Sequence, residues 1–206
     1  MTKFQNAQEY IATQRQAIAS NPECGTSHYN LGIALMGLKQ YEEAEGEFQE
    51  AISCSPTLAE AYVQLGAIHL RRGDLEGCLD WNKRAVHSRA GFAEGHGNIG
   101  FVYMQMGKVD DAIPSLEKAV RWNPNFLQAY ATLANAYLMK GQIDESIATN
   151  LKVIELEPSF QVAYNNLAIA YMEKGEFELA IENADKAASM GYEIAPEILK
   201  ELEEHR

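Results

Sequence analysis

Apolar side chains recur through most of the chain at spacings of three and four residues, with polar side chains between them. In an α-helix this spacing gathers the apolar residues on one face, which is then buried against a neighbouring helix. Short polar segments that carry glycine or proline interrupt the pattern, so each helix is expected to run for about 12 to 14 residues. The sequence therefore predicts an all-α fold of short amphipathic helices.

The apolar pattern repeats every 34 residues without an insertion, in repeats that begin at Gly25, Ala59, Ala93, Leu127 and Gln161. Position 7 of each repeat is a large apolar residue: Leu31, Leu65, Ile99, Leu133 and Leu167. Position 8 is glycine or alanine: Gly32, Gly66, Gly100, Ala134 and Ala168. Agreement at one fixed period predicts an array of equivalent helix pairs, whose members are called helix A and helix B below.

Positions 8, 20 and 27 carry small residues in nearly every repeat, which lets the backbones of helices A and B approach closely. Position 15 follows helix A and is glycine in four repeats: Gly73, Gly107, Gly141 and Gly175. Glycine there suits the left-handed backbone that ends a helix, and Lys39 takes this position in the first repeat. Three repeats end helix B with a proline: Pro56, Pro124 and Pro158.

These positions resemble the consensus of the tetratricopeptide-repeat (TPR) family, W-x-x-L-G-x-x-Y followed by A-x-x-x-F and P. The resemblance implies a right-handed superhelical solenoid of five TPR helix pairs. The expected order is an N-terminal B-like helix (1–24), five repeats (25–58, 59–92, 93–126, 127–160 and 161–194) and a C-terminal capping helix (195–206). His28 and His96 depart from the aromatic residue of position 4, and Asn82 departs from the large apolar residue of position 24.

The composition, 47% apolar and 22% charged, is that of a globular chain, and the net charge is −12. Because nucleic acid is bound by displacing counterions with basic side chains, this charge argues against RNA or DNA as a partner. The polar start and the lack of a long apolar run predict neither a secretory signal nor a transmembrane segment. Three cysteines without a C-x-x-C pair suit a reducing compartment, so we expect a cytoplasmic protein that reaches membrane or organelle surfaces only through partners.

The acidic stretch from Glu176 to Arg206 is interpreted as a solvated face, with a docking site for a basic partner as the alternative. No motif of nucleophilic, phosphate-binding or metal-dependent catalysis occurs in the sequence. His28, His69 and His96 fall at packing positions of helix A, and no cysteine or carboxylate joins them at a ligand spacing. The sequence thus predicts no enzyme activity, no cofactor and no metal site.

In the TPR family the A helices line a concave face that binds a segment of another protein, and the resemblance implies the same here. Positions 2, 5, 9 and 12 are spaced so that they share one stripe of this face, and position 6 adds a row of polar residues. The expected peptide groove is formed by Tyr29, Asn30, Ile33, Met36, Val63, Gln64, Leu70, Gly97, Asn98, Phe101, Met104, Ala131, Asn135, Leu138, Asn165, Ile169 and Met172. For position 12, packing against the next A helix is the alternative interpretation.

The groove positions indicate which partner to expect. Positions 2, 5 and 9 contain no lysine or arginine, and position 2 includes Glu60 and Glu94. Some TPR cochaperones grip a carboxylate with basic residues at such positions, so the sequence predicts no binding of acidic chaperone tails. We expect instead an apolar or weakly basic protein or peptide segment, extended or helical.

The first helix of the third repeat is rich in glycine, with Gly91, Gly95, Gly97 and Gly100 close together. Because each glycine inside a helix costs about 0.5–1 kcal/mol relative to alanine, this helix is expected to be weak. Two interpretations stay open: tight packing at these glycines, or a hinge or a cavity for a partner side chain near Phe101.

A second function is a self-assembling scaffold. Residues 1–24 resemble a B helix without its A partner, and Phe4, Tyr10 and Ile11 give it an apolar face for docking on another copy. Small bacterial stand-alone members of the TPR family, including magnetosome-associated and pilus-assembly ones, are similar in plan. This resemblance implies oligomers that act on a bacterial organelle or a membrane-associated complex.

Overall fold

A computed structural model describes the backbone of residues 3–206 and the side chains from Asn6 onward. The described residues form twelve α-helices and no strand, so the predicted all-α fold is confirmed. The helices are α1 Lys3–Ser20, α2 Gly25–Gly37, α3 Tyr41–Cys54, α4 Ala59–Arg71, α5 Leu75–Ser88, α6 Ala93–Gln105, α7 Val109–Trp122, α8 Leu127–Met139, α9 Ile143–Leu156, α10 Gln161–Lys174, α11 Phe177–Ser189 and α12 Pro196–Glu203. Helices α2, α4, α6, α8 and α10 begin at the first residues of the five repeats.

The chain forms two compact halves, Met1–Asn98 and Ile99–Arg206, called the N-terminal half and the C-terminal half below. In the N-terminal half, α2 packs on α3 and α4 packs on α5, while in the C-terminal half α8 packs on α9 and α10 on α11. The division falls inside the glycine-rich helix α6. The repeat pattern thus produces local helix pairs in both halves.

Close packing within each pair depends on the small residues, as predicted. A Cβ added to Gly32 would lie 2.5 Å from the Phe48 ring, and one added to Gly100 would lie 2.4 Å from Leu116 Cγ. The residues of position 27 are completely buried in all five repeats: Ala51, Ala85, Ala119, Val153 and Ala187. A larger side chain at these positions would force the two helices apart.

The turn after helix A needs a left-handed residue in each repeat. Gly107, Gly141 and Gly175 have φ values of 71°, 75° and 79°. Lys39 adopts φ 62° at the same position, where a side chain costs roughly 1–2 kcal/mol. The first repeat therefore keeps the turn of the others at the expense of backbone strain.

The side chain at position 4 forms a hydrogen bond with the carbonyl oxygen of the proline that precedes helix A. The hydroxyl groups of Tyr62 and Tyr164 donate to the carbonyl oxygens of Pro56 and Pro158, at 3.2 and 3.1 Å. His28 takes over this role in the first repeat, since its Nε2 lies 3.0 Å from the carbonyl oxygen of Pro22. The departure from the consensus at His28 therefore preserves the contact that the consensus residue makes.

The glycines around α6 have different roles. Gly91 lies before the helix in a left-handed turn with φ 74°, and therefore does not weaken α6. A Cβ added to Gly95 would lie 2.8 Å from Val86 Cγ1, so close packing accounts for glycine there, as it does at Gly100. A hinge in this segment stays a prediction.

Candidate protein-binding surfaces

The C-terminal half contains an open groove of about 320 Å³ between α6, α8 and α10. Apolar and amide side chains line it, with no charged residue among them: Phe101, Met104, Gln105, Ala131, Thr132, Asn135, Val162 and Asn166. Phe101 is 40% exposed although it is a large apolar residue. This surface, called the C-terminal groove, therefore offers an apolar contact surrounded by hydrogen-bonding amides.

A second open groove, of about 810 Å³, lies between α1 and α2 in the N-terminal half. The described part of its lining is uncharged and mostly apolar: Asn6, Ala7, Tyr10, Asn30, Ile33, Ala34, Gly37 and Leu38. Tyr10 is 45% exposed and Ile33 is 39% exposed. This surface, called the N-terminal groove, joins residues that the sequence assigned to two different sites, since Tyr10 was expected in a self-association face and Ile33 in the peptide groove.

Both grooves are lined by positions 6, 9 and 13 of helix A. Asn30, Ile33 and Gly37 take these positions in the N-terminal groove, and Phe101 and Gln105 take positions 9 and 13 in the C-terminal one. The face expected from the sequence includes positions 2, 5, 6, 9 and 12, so the observed grooves add position 13 to it. Gly37 and Gln105, at position 13, were therefore missed, whereas Thr132, Val162 and Asn166 lie at expected positions.

Three of the expected groove residues are buried. Val63, Gly97 and Asn165 all take position 5 and have little exposed surface. Val63 packs into a cluster with Ala59, Ala85 and Phe92, which explains its burial. The structure therefore corrects the sequence at these residues, which serve packing and are not available to a partner.

Position 12 also serves mainly for packing. Met36, Met104, Leu138 and Met172 are partly buried and pack against the apolar clusters of their own halves. Met104 alone of these four also lines a groove described above. Besides Ile33 and Phe101, Asn135 is the expected groove residue that is exposed. The other expected groove residues are partly exposed: Tyr29, Asn30, Gln64, Leu70, Asn98, Ala131 and Ile169.

A pair of carboxylates gives the A helices of the N-terminal half a negative character. One oxygen of Glu60 accepts a hydrogen bond of 2.7 Å from Arg89, while its other oxygen is buried without a partner in the structure. Partial burial, and then the charge of Glu60, raise the pKa of Glu94. Burial, followed by both glutamates, also raises the pKa of Tyr29. This surface favours a cationic group over an anionic one.

Of the three residues expected to mediate self-association, the structure describes the side chains of two, and one of these two is buried. Phe4 lies in α1, but its side chain is outside the described residues. Ile11 is 5% exposed and belongs to the apolar core of the first helix pair, together with Leu31 and Leu35, so its assignment to a docking face is wrong. Tyr10 is the residue of this set that the described structure leaves exposed.

The histidine environments agree with packing roles. His28 Nδ1 lies 2.7 Å from Glu47, and His69 Nδ1 lies 2.7 Å from Asp74, which also caps α5. Among the side chains described from Asn6 onward, no three histidine, cysteine or carboxylate groups are arranged to hold a metal ion. Within the described chain, no helix combines the length and apolarity needed to cross a membrane.

Fold and surfaces together define a helical-repeat protein. Models of the tetratricopeptide repeat match residues 25–58, 47–80, 103–158 and 149–182. The chain belongs to the tetratricopeptide-repeat family.

Solved structures with the same fold include YrrB, described as a TPR protein with an unusual peptide-binding site. It is 23% identical with a TM-score of 0.72, over 86% of this chain and 91% of YrrB. MamA is also 23% identical with a TM-score of 0.72, over 84% of this chain and 98% of MamA. The TPR repeat-containing thioredoxin TTL4 of Arabidopsis thaliana is 35% identical over 71 residues, which are 34% of this chain and about a tenth of the length of that relative.

Proposed function

We propose that this protein is a non-enzymatic scaffold that binds an apolar or weakly basic segment of another protein in the C-terminal groove. The observation that carries the proposal is the exposed Phe101 ring, which shares an uncharged groove with the amides of Gln105, Asn135 and Asn166. An exposed aromatic residue in a depression is typical of an interface anchor. The fold likeness to YrrB, a TPR protein described by its peptide-binding site, supports this function.

The lining of the groove sets the chemistry of the partner. Amide groups both donate and accept, so Gln105, Asn135 and Asn166 suit the peptide backbone of an incoming segment. Phe101 and Met104 suit an apolar side chain, and the flexible thioether adapts to different shapes.

A charge placed in the groove tests the proposal. Phe101→Glu buries a carboxylate against the partner, so affinity should fall by at least about tenfold. Leu151→Glu is the matched control, because Leu151 is an exposed apolar residue of α9 outside the groove lining. Partners captured from the native host are identified by mass spectrometry, and the binding segment is then titrated by calorimetry. Equal affinities for the two variants would reject the groove.

The charge of the partner is tested separately with an acidic C-terminal tail peptide. The lining residues that the structure describes in the two grooves include no basic side chain, so no binding is expected at micromolar concentrations. A lysine-containing apolar peptide of the same length serves as the comparison. Micromolar affinity for the acidic tail would contradict the expected partner class.

A second candidate function is self-assembly through the N-terminal groove. It is favoured by the exposure of Tyr10 and Ile33 on one uncharged surface. Light scattering over a range of concentrations should then show oligomers that Tyr10→Glu dissociates and that Leu199→Glu, at an exposed residue of α12, leaves intact. A wild-type protein that stays monomeric at all concentrations would remove this function and leave the adaptor.

A further inference from the structure

Two of the three cysteines lie at one end of the first helix pair. Cys24 directly precedes α2, and Cys54 is the last residue of α3. Cys54 Sγ donates to the carbonyl oxygen of Pro22 at 3.6 Å, while on the other side of Cys24 a Cβ added to Gly25 would lie 2.8 Å from Ser55 Cβ. Pro22, two residues before Cys24, and Gly25, which follows it, both contact the end of α3, so Cys24 and Cys54 lie at the same end of this helix pair.

The spacing of the chain at this junction is compatible with a covalent link. Disulfides join residues whose Cβ atoms are about 3.8 Å apart. Gly25, next to Cys24, packs closely against Ser55, next to Cys54, so the two chain segments are in contact one residue from each cysteine. Cys24 and Cys54 are both partly exposed, so a small oxidant reaches either sulfur.

The two cysteines at this junction differ from the third. Cys24 Sγ accepts a hydrogen bond of 3.2 Å from Ser27 Oγ, and this bond, followed by the backbone amide of Ser27, lowers the pKa of Cys24. Cys78 is buried in α5, and burial raises its pKa. Since the thiolate is the nucleophile, Cys24 is the more reactive of these two, and Cys78 is an internal control.

We propose that Cys24 and Cys54 form a thiol pair that a hydroperoxide converts to a reversible intramolecular disulfide. The Cys24 thiolate attacks one oxygen of hydrogen peroxide; the O–O bond breaks, Cys24 becomes a sulfenic acid and hydroxide leaves. Cys54 then attacks the Cys24 sulfur, the S–S bond forms, and the sulfenic oxygen leaves as water with the Cys54 proton. Two electrons pass from the thiols to the peroxide, and a dithiol reductant returns them.

The bond would join the start of α2 to the end of α3. These ends are otherwise held by hydrogen bonds and small-residue packing, such as the bond from Cys54 to Pro22. A disulfide that closes the loop from residue 24 to residue 54 restricts the unfolded chain and resists local opening of this helix pair. This site is independent of the two grooves, so its test does not depend on a partner.

The test uses the full chain treated with one equivalent of hydrogen peroxide and digested with trypsin without reduction. The expected product has lost two hydrogen atoms and gives a single linked species that joins peptide 16–39, which carries Cys24, to peptide 40–71, which carries Cys54. Dithiothreitol should restore both free peptides. Peptide 73–83, which carries Cys78, should stay unmodified under the same conditions.

Three variants separate the steps. Cys54→Ser should accumulate the Cys24 sulfenic acid, which dimedone traps, and Cys24→Ser should slow peroxide consumption by at least about tenfold. Cys78→Ser should behave as the wild type. The proposal is overturned by separate oxidation of Cys24 and Cys54 without a link, by a link that includes Cys78, or by a link found only between two copies on a non-reducing gel.

Discussion

Asn82 in the N-terminal half and Asn150 in the C-terminal half take the same position, 24, of their repeats, and both are buried. In each, Nδ2 donates to the carbonyl oxygen four residues earlier, at 2.8 Å for Asn82 and 3.0 Å for Asn150. The two residues differ at the other amide atom. Asn82 Oδ1 accepts a bond of 3.0 Å from Asn98, whereas Asn150 Oδ1 is buried and no donor of the described chain reaches it.

The difference depends on position 6 of the next repeat, which is Asn98 in one case and Asn166 in the other. Asn98 is bonded to the interior of its half, while Asn166 lines the C-terminal groove. A buried acceptor without a partner costs about 1–3 kcal/mol. The Asn82–Asn98 hydrogen bond thus stabilises the N-terminal half. At the equivalent positions of the C-terminal half, Asn166 leaves its amide available for a partner.

Replacing each buried asparagine by leucine should give the largest effect, with opposite signs. Asn150→Leu removes an unpaired acceptor and restores the apolar consensus, so the C-terminal half should gain about 1–2 kcal/mol. Asn82→Leu deprives Asn98 of its acceptor, so a loss of about 1–3 kcal/mol is expected. Urea unfolding measures both, and equal signs would contradict the comparison.

Truncating the two position-6 amides should separate stability from binding. Asn98→Ala leaves Asn82 Oδ1 unpaired and should destabilise the N-terminal half by about 1–2 kcal/mol. Asn166→Ala should change stability by less than about 0.5 kcal/mol but weaken partner binding, because the lost amide lies in the groove. Denaturation and calorimetry on the same two proteins test this assignment, which fails if Asn166→Ala alone is destabilising.

The turn after helix A offers a smaller contrast between the halves. Lys39→Gly removes the strain of a left-handed lysine and should stabilise the first repeat by up to about 1 kcal/mol. Gly141→Ala, in the equivalent turn of the C-terminal half, should destabilise by a similar amount, since it introduces the same strain. Thermal melts of both variants supply the measurement; a destabilising Lys39→Gly would show that the lysine side chain matters more than the backbone.

The smallest expected effect is a pH dependence confined to the N-terminal half. Burial lowers the pKa of His28, but Glu47 and the Pro22 carbonyl raise it more, so the folded pKa lies above the ordinary value of 6.5. This contribution to stability is complete below pH 6.5 and is lost as the pH rises through the folded pKa.

His28→Tyr keeps a donor to Pro22, as Tyr62 has to Pro56, but does not titrate in this range. The unfolding free energy of the wild type minus that of the variant should therefore decrease between pH 6 and pH 8. A difference that stays constant or increases would show that protonation of His28 does not stabilise the fold.

The repeat allowed much of the fold to be predicted. The burial of position 27 and the left-handed turn at position 15 follow from steric demands that only small residues or glycine meet. The direction of the binding face was less well predicted, because positions 5 and 6, or 12 and 13, are only 100° apart on a helix and both lie near the same surface. Ile11 was misplaced since α1 has no repeat partner against which to align it.

The hydrogen-bond partners of the buried polar side chains could not be predicted from the sequence. Asn82 was recognised as a departure from the consensus, but its bond to Asn98 depends on how two successive repeats pack. His28 was read as another departure, although its ring reaches the same proline carbonyl as tyrosine does elsewhere. Periodicity predicts which positions are buried, and the pairing of polar atoms there requires coordinates.

The position of Ile11 has a practical consequence for anyone who wishes to shorten, fuse or transplant this molecule. Together with Ile18 it covers Leu31 and Leu35, so the core of the first helix pair is completed by residues that precede the repeat motif. A fragment cut at Gly25, where sequence alignment would place the boundary, exposes that core to solvent and should be prone to aggregation. The smallest fragment expected to fold alone therefore includes α1, which covers the core of the first helix pair.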